Sequence, residues 1–321
     1  MAVTVATVAM KAAGRPPGPT PGSASSAGSR SARIPVVRLG PERLELPYDD
    51  PYAREKRALF RKINQERVEA GLARLEYSSR AAKAGDLFCR DAAEKAFAGH
   101  WDLAGRAPYL RWAEAGGVDQ HAENSASETR VPAPITDPPL DLLLRSHARM
   151  MAETPPHDGH RRTVLSPEWT HVGIGLALLG GEFRMTEEYV RKLMGWIEIP
   201  AGPVPADSVA PFAGKVPAGW NVAIVEIRYE APPRPMTRAQ ASEKQTYSLP
   251  PLVRKILSMP GPGLIWESGE KGSFPVAPTG EFRLGVPLDR GPGDYYVVVY
   301  PSRGAGGRGL TPCTAARIRA E

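Results

Sequence analysis

All six histidines of this 321-residue chain fall in one stretch: His100, His121, His147, His157, His160 and His171. Histidine is the side chain whose unperturbed pKa lies nearest neutrality, and it is the commonest metal ligand. Acids are interspersed among them, at Asp102, Glu123, Glu153 and Asp158. Two neutral imidazoles and a carboxylate can hold zinc with one position open to water. Without metal, the same groups can act as an acid and base pair. A plainer use competes at each position. His100 follows Gly99 and suits a helix C-terminus, where a cation is favoured. Glu123 can accept from loop N–H groups, and His160 can tie down the loop before Val164 and Leu165. His147, beside Leu143 and Leu144, reads as a packed or surface residue, and His171 as structural. The Asp158-Gly159 pair between His157 and His160 signals a turn.

The elements that must position these residues follow from periodicity. Residues 53–70 lack Pro and Gly and space Leu59, Ile63 and Ala70 along one helical face, and Gly71 follows as a stop. A second helix is expected over 81–98, capped by Ser78 or Ser79. Further helices are expected over 105–115 and 140–152, the latter stopped by Pro155-Pro156. Two strands, 171–179 and 182–190, flank Gly180-Gly181 as a hairpin. From Trp220 onward the texture changes to short runs separated by Gly and Pro: 220–229, 263–268, 272–277, 281–286, 295–300 and 312–318. That is the pattern of a β-sandwich.

With 34 Pro and 32 Gly, about a fifth of the chain favours turns. The length suits two domains and a tail. Residues 1–50 are expected to be a leader and disordered linker. The apolar run Ala2–Met10 is followed, not preceded, by its first basic residue, and 14–34 is rich in Pro, Gly, Ser and Ala. Residues 51–200 form the first domain, 201–218 a second linker, and 219–321 the sandwich. Residues 51–200 carry 21 basic and 21 acidic side chains. No clustered basic face is visible, so a nucleic-acid partner is excluded. No run of 18 apolar residues spans a membrane. Cys89 and Cys313 are far apart, with no CxxC, so neither a thiolate zinc site nor a redox pair is indicated. HExxH, GxSxG, a glycine-rich phosphate loop and a DxDxDG loop are all absent.

Five pieces in order remain: INQERVEAGLARL at 63–75, GHWD at 99–102, AEN at 122–124, HDGHRRTVLSP at 157–167 and THVGIGLAL at 170–178. Over 51–200 this order resembles the CAP superfamily, the SCP-like domains of cysteine-rich secretory and pathogenesis-related proteins, and most closely its bacterial branch. The resemblance implies an α-β-α sandwich with a central cleft lined by two histidines and two acids, an α+β fold followed here by the β-sandwich. Carried over, those residues are His100, Glu123 and His160, with Glu153 of RMMAETPP as the second acid. The aromatic-rich WxxE-like stretch that usually carries that acid is not present here. Asn64 and Arg67 match positions structural in the family. His121 and Asp102 stand as supporting partners to the cleft.

The function implied is a secreted, extracellular or cell-surface protein. It would bind a small ligand, lipid or metal ion, zinc or another divalent ion being the cofactor, with a cell-surface component as a further partner. The alternative is a metal-dependent hydrolase with His100 and His160 as ligands and Glu123 as base. In the second domain, Tyr229, Tyr295, Tyr296 and Tyr300 stand either as a binding face or as core.

Overall fold

The computed structural model describes residues 10–12, 34–38, 52–244, 246–260, 264–303 and 310–321. The expected leader Ala2–Met10 and most of the 1–50 linker lie outside those residues. Two short pieces of that segment are nonetheless strands, β1 (Met10–Ala12) and β2 (Val36–Arg38).

Helix α1 (Ala53–Glu69) forms where the sequence keeps its apolar stripe, burying Leu59 and Ile63. It ends before Gly71, whose φ of +74° is open to glycine at little cost. Strand β3 (Glu76–Tyr77) leads to α2 (Ser79–Glu94), where the Ser78 hydroxyl accepts from the Ala81 N–H as N-cap. Helix α3 (Pro108–Glu114) and strand β4 (Gln120–Thr129) follow. Then come α4 (Pro139–Met151), α5 (Gly159–Val164), β5 (His171–Leu179) and β6 (Glu182–Arg191). The order in this sheet is β3-β5-β6-β4, with only the β3–β5 pair parallel.

Helices cover both faces of the sheet. Leu59, Ile63, Leu142 and Leu143 share a core with Ala122, Ile174, Met185 and Tyr189. On the other face α2 lies close, because Gly173 and Gly175 leave no side chain in the way. A Cβ on Gly173 would sit 2.2 Å from the Ala82 nitrogen, and one on Gly175 2.4 Å from the Gly85 carbonyl carbon. Alternation therefore sorts the strands. Ala122, Asn124, Met185, Glu187 and Tyr189 point toward α1 and α4; His121, Glu123, Thr186 and Glu188 point toward α2 and α3.

The second unit starts earlier than its sequence texture indicates. Strand β7 (Gly195–Pro200) and β8 (Val209–Lys215) occupy ground expected as domain end and linker. They join β2 and β12 (Glu281–Pro287) in a sheet ordered β12-β8-β7-β2. A second sheet holds β9 (Trp220–Glu230), β10 (Leu252–Leu257), β13 (Gly293–Arg303) and β14 (Ala316–Ala320), ordered β10-β9-β13-β14. The two sheets share one core, with Trp196, Phe212 and Phe282 meeting Val225, Tyr295 and Val297. The other face of the β9–β13 sheet is buried as well, where Ile224, Tyr296 and Tyr300 pack with Tyr109 and Leu110 of α3. Tyr295, Tyr296 and Tyr300 are thus core residues and not an open binding face. A short helix, α6 (Arg238–Glu243), sits in the long β9–β10 connection behind a Thr237–Gln240 capping box. Strand β11 (Leu264–Trp266) pairs with β1, and the expected strand at 272–277 is present only as bridges at Phe274 and Val276.

Candidate functional site: two histidine–carboxylate clusters on opposite faces of one sheet

Toward α2 and α3, Glu123 is the hub. Its two carboxylate oxygens are both taken, one by His100 Nδ1 at 2.8 Å and the other by the Arg111 guanidinium at 2.5 Å. Arg111 also donates to the His100 carbonyl, so the loop after α2 and the face of α3 are locked together. Burial opposes the charge on Glu123, but Arg111 and then His100 outweigh it and hold the carboxyl below its ordinary value. Next to it, His121 Nε2 meets Glu188 at 2.7 Å, and its ring stacks on Trp112 with centroids 5.2 Å apart. Burial and the neighbouring charge of Glu123 push the Glu188 carboxyl up. His121 thus serves Glu188. Asp102 closes its own turn, accepting from the backbone and guanidinium of Arg106.

Toward α1, α4 and α5 lies a second cluster. His147 is buried between two carboxylates, with Nδ1 on Glu187 and Nε2 on Glu66, each at 2.6 Å. Burial would lower its pKa, yet Glu187 and Glu66 push it up to about 10. The residue expected as packing or surface is a buried cation. Tyr189 donates to Glu187 at 2.8 Å, and Asn124 bridges Glu187 and the His160 carbonyl. His160 pairs with Glu153, through Nδ1 at 2.5 Å and through its backbone N–H at 3.0 Å. Helix α5 begins at Gly159, where the sequence indicates a turn.

The four residues carried over as one cleft therefore form two pairs. His100 pairs with Glu123 on one face, and His160 with Glu153 on the other. The reason is parity along β4: Glu123 and Asn124 are consecutive, so they point to opposite faces, and the chain of contacts to His160 runs through Asn124. Among the described residues, no three His, Cys, Asp or Glu side chains are grouped to hold a metal ion. The expected set of His100, Glu123 and His160 does not fit zinc, because Arg111 stands on the second Glu123 oxygen and a guanidinium there repels a divalent cation. Three participants lie in no motif of the sequence, Arg111, Glu187 and Glu188, and Glu66 lies in the INQERVEAGLARL piece without being marked as a site residue. A double acid in a strand, flanked by His-bearing elements, is the only signal that could have marked Glu187 and Glu188.

The supporting residues behave as the resemblance implies. The Asn64 side chain makes a two-way amide pair with the Leu75 backbone, and buried Arg67 donates to the carbonyls of Ala73, Val164 and Ser166. Cys89 and Cys313 are both free and buried.

The His100–Glu123 pair is roofed by the second unit. The Tyr247 hydroxyl accepts from the Glu123 N–H at 2.5 Å, and its ring lies 5.0 Å from His100. Lys244 sits 3.3 Å over the Trp101 ring, and the Trp101 N–H donates to the Thr246 carbonyl.

No protein-family model matches the chain, and no curated protein does. Among solved structures, it is similar to an extracellular SCP-domain protein from Bacillus anthracis, at 18% identity and a TM-score of 0.35, over 43% of this chain and 41% of that one. It is also similar to an outer surface protein from Borrelia burgdorferi, at 15% identity and a TM-score of 0.36, over 44% of this chain and 96% of that one. A cysteine-rich secretory protein from Staphylococcus aureus matches at 18% identity and a TM-score of 0.30, over 44% of this chain and 41% of that one. The chain spans about two fifths of the length of the first and third of these. Among the described residues, no helix is long and apolar enough to cross a membrane.

Proposed function

We propose that the chain is an exported CAP-like protein backed by a β-sandwich unit, and that it binds a small ligand or lipid without hydrolysing it. One observation carries the non-hydrolytic part of the reading: each oxygen of the buried Glu123 carboxylate is engaged, one by His100 and one by Arg111, and Tyr247 packs beside it. A general base needs a free lone pair within reach of substrate. Glu123 is 4% exposed, and His100 and Arg111 stand on its two oxygens, so a substrate proton has no open approach to it. The sequence resemblance supports an extracellular or cell-surface location. The test is lipid extraction and mass spectrometry of the purified full chain, run beside a panel of ester and peptide substrates. The expected result is a co-purifying or readily loaded small molecule, with no turnover above that of Glu123→Ala. An empty protein that takes up no lipid or small ligand contradicts the binding reading, and turnover lost in Glu123→Ala contradicts the non-catalytic one.

A second reading rests on the other pair. The His160 and Glu153 side chains are 35% and 24% exposed, and a carboxylate on one imidazole nitrogen is the arrangement that orients the other as a base. This reading is metal-free hydrolysis at His160. It requires turnover that His160→Ala abolishes and Glu123→Ala leaves in place.

A further inference from the structure

Strand β4 is the last strand of its sheet, so its outer row of N–H and C=O groups faces away from β6. Near the start of β4 that edge is met by backbone, the Gln120 N–H donating to the Cys313 carbonyl at 3.0 Å. At Glu123 it is met by a side chain. The Tyr247 hydroxyl accepts from the Glu123 N–H at 2.5 Å and donates to the Glu123 carbonyl at 3.3 Å. The same ring lies 5.0 Å from the His100 ring, tilted by 60°. One phenol therefore stands at the sheet edge against both members of the His100–Glu123 pair, and His100 is only 7% exposed.

The span that carries Tyr247 is held at its two ends. On one side α6 is rooted in the helical unit. Ala241 is fully buried among Phe88, Ala92 and Phe97, and the Met236 N–H donates to the Leu103 carbonyl at 2.8 Å. The Ser242 hydroxyl accepts from the Ala98 N–H at 3.2 Å. On the other side, at the entry to β10, the Pro250 carbonyl accepts from Arg228 at 2.9 Å and the Pro251 carbonyl from the Tyr229 N–H at 3.1 Å. Between these anchors Thr246 and Ser248 are exposed. Residues 246–249 are tied to the helical unit through Tyr247 and through the Trp101 ring N–H, which donates to the Thr246 carbonyl at 3.2 Å. A short exposed span with few such ties opens locally at small cost while its anchors stay folded.

We infer that Tyr247 is an intramolecular plug on the His100–Glu123 cleft: a ligand reaches the pair when residues 246–249 lift from the edge of β4 with α6 left in place. The inference rests on reading that cleft as the ligand site. It adds a closed state, in which the second unit blocks the first, and an open state with the same fold.

The test needs no ligand. The full chain is treated with diethylpyrocarbonate at neutral pH, and the rate of modification at each histidine is read by peptide mass spectrometry. Glu123 holds Nδ1 of His100, so Nε2 is the nitrogen left for the reagent. Exposed His157 gives the reference rate, and buried His121 and His147 report whether the fold holds. Where opening and closing are fast, the rate at His100 tracks the open population. In the wild type His100 should react far more slowly than His157. Tyr247→Phe keeps the ring and removes both hydrogen bonds to Glu123, and should speed His100 about tenfold. Tyr247→Ala should speed it further, with His121 and His147 still protected. If Tyr247→Ala loses its fold, seen as rapid reaction at His147, the Tyr247→Phe variant decides alone. Wild-type His100 reacting as fast as His157 overturns the inference. So does a His100 rate that Tyr247→Phe leaves unchanged, or one that rises only in step with His121 and His147, which is the mark of a merely structural tyrosine. Lipid extraction judges the binding reading separately: an empty protein contradicts that reading and leaves the rates at His100 as they stand.

Discussion

Glu187 and Glu188 are neighbours in β6, and each holds a buried histidine on a different face of the sheet: Glu187 binds His147 and Glu188 binds His121, at 2.6 and 2.7 Å. One peptide bond therefore joins two polar clusters that share no side chain. The fate of their charges differs. Glu187 is held below its ordinary pKa by His147, against the effect of burial, while Glu188 is raised by burial and by Glu123.

His147 supplies the first prediction. A base whose folded pKa is raised holds its proton more tightly folded than unfolded, and stability from that difference is complete below its unfolded pKa of about 6.5. It is lost as pH rises toward the folded value of about 10. The lowered Glu187 and Glu66 act in the opposite direction, contributing above the ordinary carboxylate pKa and losing that contribution as pH falls. The wild-type melting temperature should fall between pH 7 and 10, and His147→Ala should flatten that slope. The variant should lose about 3–5 kcal/mol near neutrality, since it strands Glu187 in the core. Thermal unfolding across pH checks both.

Replacing Glu123 with Gln removes the anion that Arg111 and His100 share and that raises Glu188. Two opposite effects follow. Global stability should drop by about 3 kcal/mol, while the Glu188 carboxyl should move down toward its ordinary range. Urea unfolding reads the first, and side-chain carboxyl NMR reads the second.

Close approach of α2 to β5 rests on two glycines. Gly175→Ala places a methyl against the Gly85 backbone and the Thr186 hydroxyl, both within 2.6 Å. Backbone cannot yield as a side-chain tip does, so the loss should lie at the upper end of the overpacking range, about 3 kcal/mol. Gly180→Ala, with nothing within 4 Å of the added carbon, meets no clash and loses only what its φ of +57° imposes, about 1 kcal/mol. Comparing the two unfolding midpoints separates packing from backbone strain.

The two thiols give a simple chemical check. Burial pushes both Cys89 and Cys313 up, and neither is bonded to the other. A thiolate-specific reagent at pH 8 should find no rapidly reacting thiol in the native chain and two in the unfolded chain. A disulfide would leave none in either state.

How much of this was legible in the residues follows from where periodicity survives. Helices α1, α2 and α4 and the β5–β6 hairpin keep their apolar patterns and were readable. Strand β4 was not, because its inward positions are His121, Glu123 and Asn124, polar residues that pair with acids, a cation and a carbonyl from other elements. Without β4 as a strand, the opposite parity of Glu123 and Asn124 is invisible, and the four cleft residues read as one site. The four residues were named from the sequence; their division into two pairs was not. Strands β7 and β8 are the central pair of their sheet, yet they hid in a Pro- and Gly-rich run: β7 ends on Pro200, and β8 carries Pro211 and Gly214 within it. Strand β10 carries charged residues on its exposed face and gave no clean alternation. Tyr247 could not be placed by local pattern at all, since its partner Glu123 lies 124 residues away.

The most direct measurement is zinc titration of the full chain by calorimetry, with His100→Ala and His160→Ala alongside. Two pairs on opposite faces predict no stoichiometric micromolar site that needs both imidazoles. One zinc per chain at micromolar affinity, lost in each variant alone, would contradict the separation of the pairs.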